Sequence, residues 1–241
     1  MQTAQTNSVE PAAIPILCRN CQSRRLGMCA ALNAEQLARL SRHSRHVHHH
    51  AGDQLMADAM PISSYGNLLR GVVKLSKVLE DGRQQVVGLQ FAPDLMGRLF
   101  ANESRVTAEA ASDVDLCVVS KSAMESVLRD SPELEHRIML QTLRELDEAR
   151  DWMVTLGRKT AAEKVASFLY LIASHADPDQ DEPVTSFDLP LSRADIGDFL
   201  GLTIETVSRQ MSKLKVDGVI GIENYRHVMV PDLARLRVRC G

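Results

Sequence analysis

Cys18, Cys21 and Cys29 form a C-x2-C-x7-C arc within residues 17–30, and a further thiol, Cys117, lies far along the chain in the apolar run Leu116–Val119. Four thiolates are the ligand set of a structural zinc or of an iron–sulfur cluster, because soft sulfur donors suit both. In a reducing compartment, clustered cysteines bind metal more often than they form disulfides. A Cys-x-x-Cys pair can also exchange disulfides, as in a thiol oxidoreductase. Here no βαβ pattern surrounds Cys18 and Cys21, and a third cysteine follows closely. The arc therefore predicts a metal site that senses something, while Cys240, near the end of the sequence, is expected to be idle. The histidines His43, His46, His48, His49 and His50 are a second candidate cluster. Consecutive residues of a strand point to opposite faces, so a solvated strand edge is the expectation there. No nucleophile, base and acid occur together in a pattern that would make the chain an enzyme.

The elements that must position these groups show in the patterning. From about Ala34 to Val119, short strand-like runs alternate with turn signals: Gly71–Leu79, Gln84–Phe91 and Val114–Val119. Glu80-Asp81-Gly82-Arg83 suits a hairpin turn, because Gly82 accepts a positive φ. Such spacing predicts an antiparallel β-barrel or jelly roll. Ser131-Pro132-Glu133 is a helix start, with Ser at the N-cap, Pro in the first turn and a carboxylate at the positive dipole end. Met139, Leu143, Leu146 and Met153 recur along this helix, with Arg150 at an intervening core position and Ile138, Ala149, Trp152 and Leu156 flanking them. Such a seam predicts a dimerisation helix over 131–157 built on Ile138, Met139, Leu143, Leu146, Arg150 and Met153. A second helix is expected over Ala161–His175, followed by an acidic loop at 176–183. The division is an α+β chain: an arm with the cysteines (1–33), a β-barrel sensory domain (34–130), the dimerisation helix (131–157) and a C-terminal reader (158–241).

Charge is segregated along the chain. Residues 51–190 hold 14 Lys and Arg against 23 Asp and Glu, whereas residues 191–241 hold 8 against 6. The C-terminal part can therefore face an anion. No apolar run is long enough to span a bilayer, and the opening residues lack the layout of a secretory signal, so no membrane partner is expected and the cytoplasm is the expected location.

Residues 191–219 read as a helix-turn-helix. Ser192 caps a first helix that buries Ile196, Phe199 and Leu200, and Gly201 supplies the turn. Thr203, with Thr206 three positions on, caps a second helix that buries Val207, Met211 and Leu214. That helix shows Glu205, Ser208, Arg209, Ser212 and Lys213 to solvent, as a helix entering a major groove would. Arg209 can donate to O6 and N7 of a guanine, and Glu205 can accept from a cytosine amine or orient Arg209. Ser208 can reach a base or a phosphate, and Lys213 and Lys215 suit phosphates. Gly218–Ile220 and Arg226–Val230, flanking Glu223-Asn224-Tyr225, read as a hairpin wing.

With these residues in view, the chain resembles the CRP/FNR superfamily of transcription regulators, and in particular its FNR-type oxygen sensors. The resemblance is strongest over LSRADIGDFLGLTIETVSRQMSK (191–213). It implies a cyclic-nucleotide-binding-like β-barrel, a dimer helix and a winged helix-turn-helix. It implies that Cys18, Cys21, Cys29 and Cys117 hold a [4Fe–4S] cluster that supports the homodimer without oxygen and is lost in air. It also implies a TTGAT-N4-ATCAA-like operator read by Glu205 and Arg209, and RNA polymerase as a partner met at the exposed turn 80–83. The seven-residue spacing before Cys29 marks one branch of this family. Where cyclic-nucleotide-binding relatives carry Gly-Glu, this chain has Gly97-Arg98, so no cyclic nucleotide is expected. A structural zinc, or thiol-based redox sensing on the same fold, is the alternative.

Overall fold

Strands β3 (Ser64–Arg70) and β8 (Val114–Ser120) run antiparallel at the centre of the first sheet, and their alternation divides the sensory domain into two cores. Leu68 stands opposite Leu116, and both enter the space between two sheets with Val73, Ala108, Ala110 and Val114. Tyr65 and Val119 face the other way and pack with Met28, Leu40, Leu95 and Met124 beneath helices α1 (Ala34–Ser41) and α2 (Lys121–Arg129). The computed structural model describes residues 14–19, 21, 24–176 and 185–241. The first part of the expected arm and all but Ala176 of the acidic loop lie outside the described residues.

One four-stranded sheet has the order β1 (Ser44–His49), β8, β3, β6 (Leu95–Met96). The other has the order β2 (Gln54–Met56), β7 (Thr107–Ala110), β4 (Val72–Val78), β5 (Gln84–Phe91). All pairings are antiparallel, and together the sheets make a jelly roll. The expected barrel is not closed, because β6 is only two residues long and ends its sheet beside β3. In the β4–β5 hairpin, Gly82 has φ +85° and the Leu79 N–H donates to the Arg83 carbonyl at 2.8 Å.

Helix α3 (Pro132–Arg158) begins where Ser131 Oγ accepts from the Leu134 N–H, with Glu133 and Glu135 in its first turn. Helix α4 (Ala161–His175) starts on a Thr160/Glu163 capping box. The C-terminal unit follows with β9 (Ser186–Asp188), α5 (Arg193–Leu200), α6 (Ile204–Val216), β10 (Gly221–Glu223), β11 (His227–Met229) and α7 (Leu233–Val238). Its core takes in Val86 and Phe91 of β5, so the two domains share one apolar interior. Lys74 of β4 clasps them together: its Nζ lies 2.6 Å from Asp195 Oδ1 on α5 and 2.9 Å from Glu109 on β7. Trp152 of α3 packs on Phe199 of α5 with ring centroids 4.5 Å apart. Among the described residues no helix is long and apolar enough to cross a membrane.

Candidate metal centre and nucleic-acid interface

The N-terminal segment lies over the outer face of the β1–β8–β3 sheet in short 3-10 turns, Ile16–Cys18 and Met28–Ala31. Beneath it, three residues stand in a row across the strands: His46 opposite Cys117, and Cys117 opposite Asn67. Residues in register share a face, so all three point away from the Leu68–Leu116 interior and toward the arc. Cys18, Cys21, Cys29 and Cys117 line one small cavity there, walled by Leu17, Leu37, Leu40 and Ser44 and by Arg24, His46 and Asn67. The fold thus brings the distant Cys117 to the other three thiols.

The thiols feel one another. Burial pushes the Cys29 thiol far up, and negative charge on Cys117, Cys21 or Cys18 would push it further. Cys117 is pushed up to about 11, first by burial and then by Cys21 and Cys18. Burial and Cys21 also raise Cys18. Free thiols of this kind hold their protons at neutral pH and give them up to a metal. Among the described residues, no three of these sulfurs lie within 4.8 Å of one another. A single tetrahedral zinc, with bonds of about 2.3 Å, would draw its sulfurs to about 3.8 Å. Four thiolates on one cavity suit a single zinc or an iron–sulfur cluster alike. Among the described residues, three of the five buried side-chain atoms without a hydrogen-bond partner also belong to this wall: Arg24 Nε and both amide atoms of Asn67.

The histidine run lies on an exposed edge. His48 and His50, two residues apart, place their ligand atoms within 4.8 Å of each other and of Asp113. All three are exposed, and His48 Nδ1 is already 2.8 Å from Asp115 Oδ1. His50 lies beyond the end of β1, which lets its ring swing back toward His48. Cys240 also differs from expectation. It is half-buried against the C-terminal core; its Sγ donates to the Leu236 carbonyl, and its own carbonyl accepts from Ser167 Oγ.

The cysteine arc is tied to the long helix by a contact that no local pattern announces. Arg137 of α3 donates from Nε to the Gly27 carbonyl at 2.8 Å and from Nη2 to the Leu26 carbonyl at 2.5 Å. Further along α3, Met139, Leu143, Leu146, Arg150 and Met153 are exposed, and Leu140 and Val154 join the apolar stripe. Ile138 departs from its expected place in that seam. It turns inward and packs against the sensory core with Leu134. Trp152 likewise turns toward α5.

The reader is assembled from local signals. Ser192 and Asp195 form a capping box on α5, and Gly201 adopts φ +62°, ψ +44° at its C-cap. A Cβ at Gly197 would stand 2.6 Å from the Leu202 carbonyl, so the close turn between α5 and α6 requires glycine there. Thr203 Oγ1 accepts from the Thr206 N–H to start α6. Thr203, Glu205, Ser208, Arg209, Ser212 and Lys213 are exposed, and Thr206 is half-buried. Thr206 lies within reach of Arg209, its Oγ1 accepting from Nη2 at 3.4 Å. The backbone N–H of Glu205 itself and a hydrogen bond from Thr203 hold the Glu205 carboxyl below its usual range. The wing strands begin at Gly221 and not at Gly218, and Asn224 and Tyr225 turn between them with positive φ. Tyr225 at the tip is 90% exposed, and Ile204 at the first turn of α6 is exposed too; the sequence pattern singled out neither.

Residues 46–131 match the cyclic nucleotide-binding domain, and residues 163–239 match the Crp-like helix-turn-helix domain. The chain is 39% identical to the transcriptional activator protein FnrL of Cereibacter sphaeroides, over 93% of this chain and 92% of that one. It belongs to the CRP/FNR family. A second relative, described as "Probable transcriptional activator" from Rhizobium leguminosarum bv. viciae, is 54% identical over 92% of both chains. Among solved structures, FixK2 of Bradyrhizobium japonicum superposes with a TM-score of 0.74 at 31% identity, covering 82% of this chain and 98% of that one. CRP/FNR proteins are DNA-binding transcription regulators, not enzymes, and α5 and α6 lie within the matched helix-turn-helix domain. In its sensory domain, Gly97 turns the chain after β6 with φ +109°, against the ring of Tyr65, and Arg98 follows it.

Proposed function

We propose that this regulator is an oxygen-responsive activator that works as a cytoplasmic homodimer. Cys18, Cys21, Cys29 and Cys117 would hold a [4Fe–4S] cluster, and each α6 would read half of a TTGAT-N4-ATCAA-like operator. The observation that carries the reading is the convergence of four thiols, from two distant parts of the chain, on one small cavity. When bound, the cluster supplies an oxygen-labile link between the arc and β8.

The protein's own residues do the rest. Cys117 anchors the arc to the centre of a sheet, and Arg137 carries its position to α3. An arc seated on β8 holds the start of α3 in place, and the exposed stripe from Met139 to Met153 pairs with its twin. Two recognition helices on one axis then meet two half-sites; a lone protomer keeps one helix and about half of the phosphate contacts. In each half-site, Arg209 donates to guanine and Glu205 accepts from the paired cytosine, Ser208, Thr203 and Thr206 line the base edges, and Ser212 and Lys213 meet phosphates. The 79–83 hairpin, with Val78, Leu79 and Val87 exposed around it, is the surface offered to RNA polymerase.

The test is protein purified without oxygen, scanned in the visible and assayed for iron, sulfide, mass in solution and operator binding before and after air. A brown dimeric protein that bleaches, dissociates and releases the operator is the expected result, with Cys117→Ser colourless from the start. A colourless protein that carries zinc, or a dimer that binds equally in air, overturns it.

A further inference from the structure

Asn67 is a buried polar residue that the fold leaves without work. It is 1% exposed, and neither its Nδ2 nor its Oδ1 has a hydrogen-bond partner. Burying an amide unpaired is unfavourable, and native proteins seldom keep one without a use. Packing does not explain it. Its neighbours on the same sheet face, Tyr65, Leu95 and Val119, fill the adjoining apolar core. Its location does. Asn67 stands directly opposite Cys117 in the β3–β8 register, and its side chain lines the cavity shared by the four thiols. The nearby Ser44 Oγ donates to the Leu40 carbonyl at 2.7 Å and is not bonded to Asn67.

We infer that the Asn67 carboxamide donates an N–H to a sulfur of the centre held by Cys18, Cys21, Cys29 and Cys117, and that this bond slows the loss of the centre in air; the inference rests on the iron–sulfur reading above. Sulfur that carries negative charge accepts N–H donors, and such bonds are among the features by which a protein tunes an iron–sulfur centre. Asn67 is a positioning and tuning residue, not a ligand. The amide is costly while the cavity is empty and satisfied once it is filled, so its two effects have opposite signs.

That opposition makes the test. Full-length wild type, Asn67→Leu and Asn67→Thr are reconstituted without oxygen, and iron and sulfide are counted. The iron–sulfur stretching bands are recorded by resonance Raman, bleaching is timed in air-saturated buffer, and the cluster-free forms are unfolded in urea. Asn67→Leu is expected to load the same iron and sulfide, to show shifted bands and to bleach several-fold faster, with Asn67→Thr in between. Its cluster-free form is expected to unfold at a higher urea concentration than the wild type. Unchanged bands and bleaching in a fully loaded Asn67→Leu overturn the inference alone. So does a cluster-free Asn67→Leu that is weaker than the wild type, since Asn67 would then be serving the fold. A wild type that holds no iron overturns the iron–sulfur reading, and this inference with it.

Discussion

Replacing Lys74 with methionine keeps the aliphatic stem and removes the charge that joins the two domains. The side chain is 10% exposed, and its partners Asp195 and Glu109 are 22% and 33% exposed. Removing one member of a fully buried pair costs about 3–5 kcal/mol, whereas exposed pairs contribute at most about 1. Two carboxylates that keep some access to water place Lys74→Met between these, at about 2–3 kcal/mol. With a urea slope near 2 kcal/mol per molar, the unfolding midpoint should fall by about 1 M. The assay is built in: Trp152 is the only tryptophan, and it packs on Phe199 of α5, so its fluorescence reports the docking of the reader on α3. The pH dependence follows with a definite sign. Burial pushes the Asp195 carboxyl up, but hydrogen bonds from Lys74 and Ser192 and the ammonium charge outweigh it and hold it below the usual range. Its contribution is therefore full above the unfolded value, about 3.9, and is lost as pH falls through the lower folded value. Burial pushes Lys74 down, but its two carboxylate partners outweigh that and hold it above the usual range. Its contribution is full below about 10.4 and is lost as pH rises through the higher folded value. Wild type should show both limbs, and Lys74→Met should lack the alkaline one and flatten the acid one. In a double-mutant cycle, Asp195→Asn should cost less in the Lys74→Met background than alone. An unchanged midpoint, or a cycle with no coupling, would refute the clasp.

Arg209→Ala should lower operator affinity by about 10–100-fold and relax discrimination at one base pair. Lys213→Ala should keep discrimination but reduce the slope of log affinity against log salt by about 1, both read by fluorescence anisotropy. Met139→Glu with Leu143→Asp places charge on the exposed stripe of α3 and should leave a folded monomer by sedimentation velocity, with unchanged circular dichroism. Gly197→Ala puts a Cβ against the Leu202 carbonyl, so the α5–α6 turn must open. A loss of about 1–3 kcal/mol and weaker operator binding are expected by thermal melting and anisotropy.

What the sequence made legible was local. The caps at Ser131, Ser192 and Thr203, the turn at Gly201 and the apolar positions of α6 all act within one or two turns of chain, and each is where its neighbours implied. The cysteine arc was legible for the same reason. The place of Cys117 beside the arc was legible only through resemblance, because period-two alternation says that it faces away from Leu116 but not what covers that face. Asn67 and Arg137 were missed because their partners are set by a sheet register and a long-range crossing. Ile138 and Met139 are adjacent on a helix, about 100° apart, and the periodicity did not decide which of them faced the core. The open edge at β6 likewise depends on where a strand stops, which Met96-Gly97 did not announce. The sequence left open whether Glu205 orients Arg209 or accepts from a cytosine, and the Thr206 hydroxyl that lies within reach of Arg209 was not foreseen as its partner.

The seating of the arc on β8 also has a meaning in chain statistics. Whatever joins Cys29 to Cys117 closes a loop containing nearly the whole jelly roll, and the ends of so long a loop meet only at a considerable cost in conformational freedom. The sheets have already met that cost by folding, so the join draws on order the domain has made. Breaking it hands back only the freedom of the short arc, which is held to the domain by Met28, Cys29, Ala31 and Leu32 and by the two carbonyls that accept from Arg137. The sensory domain can therefore stay folded while the arc is released. The regulator would then behave as a latch on a rigid frame, set again by refilling the cavity without refolding the chain.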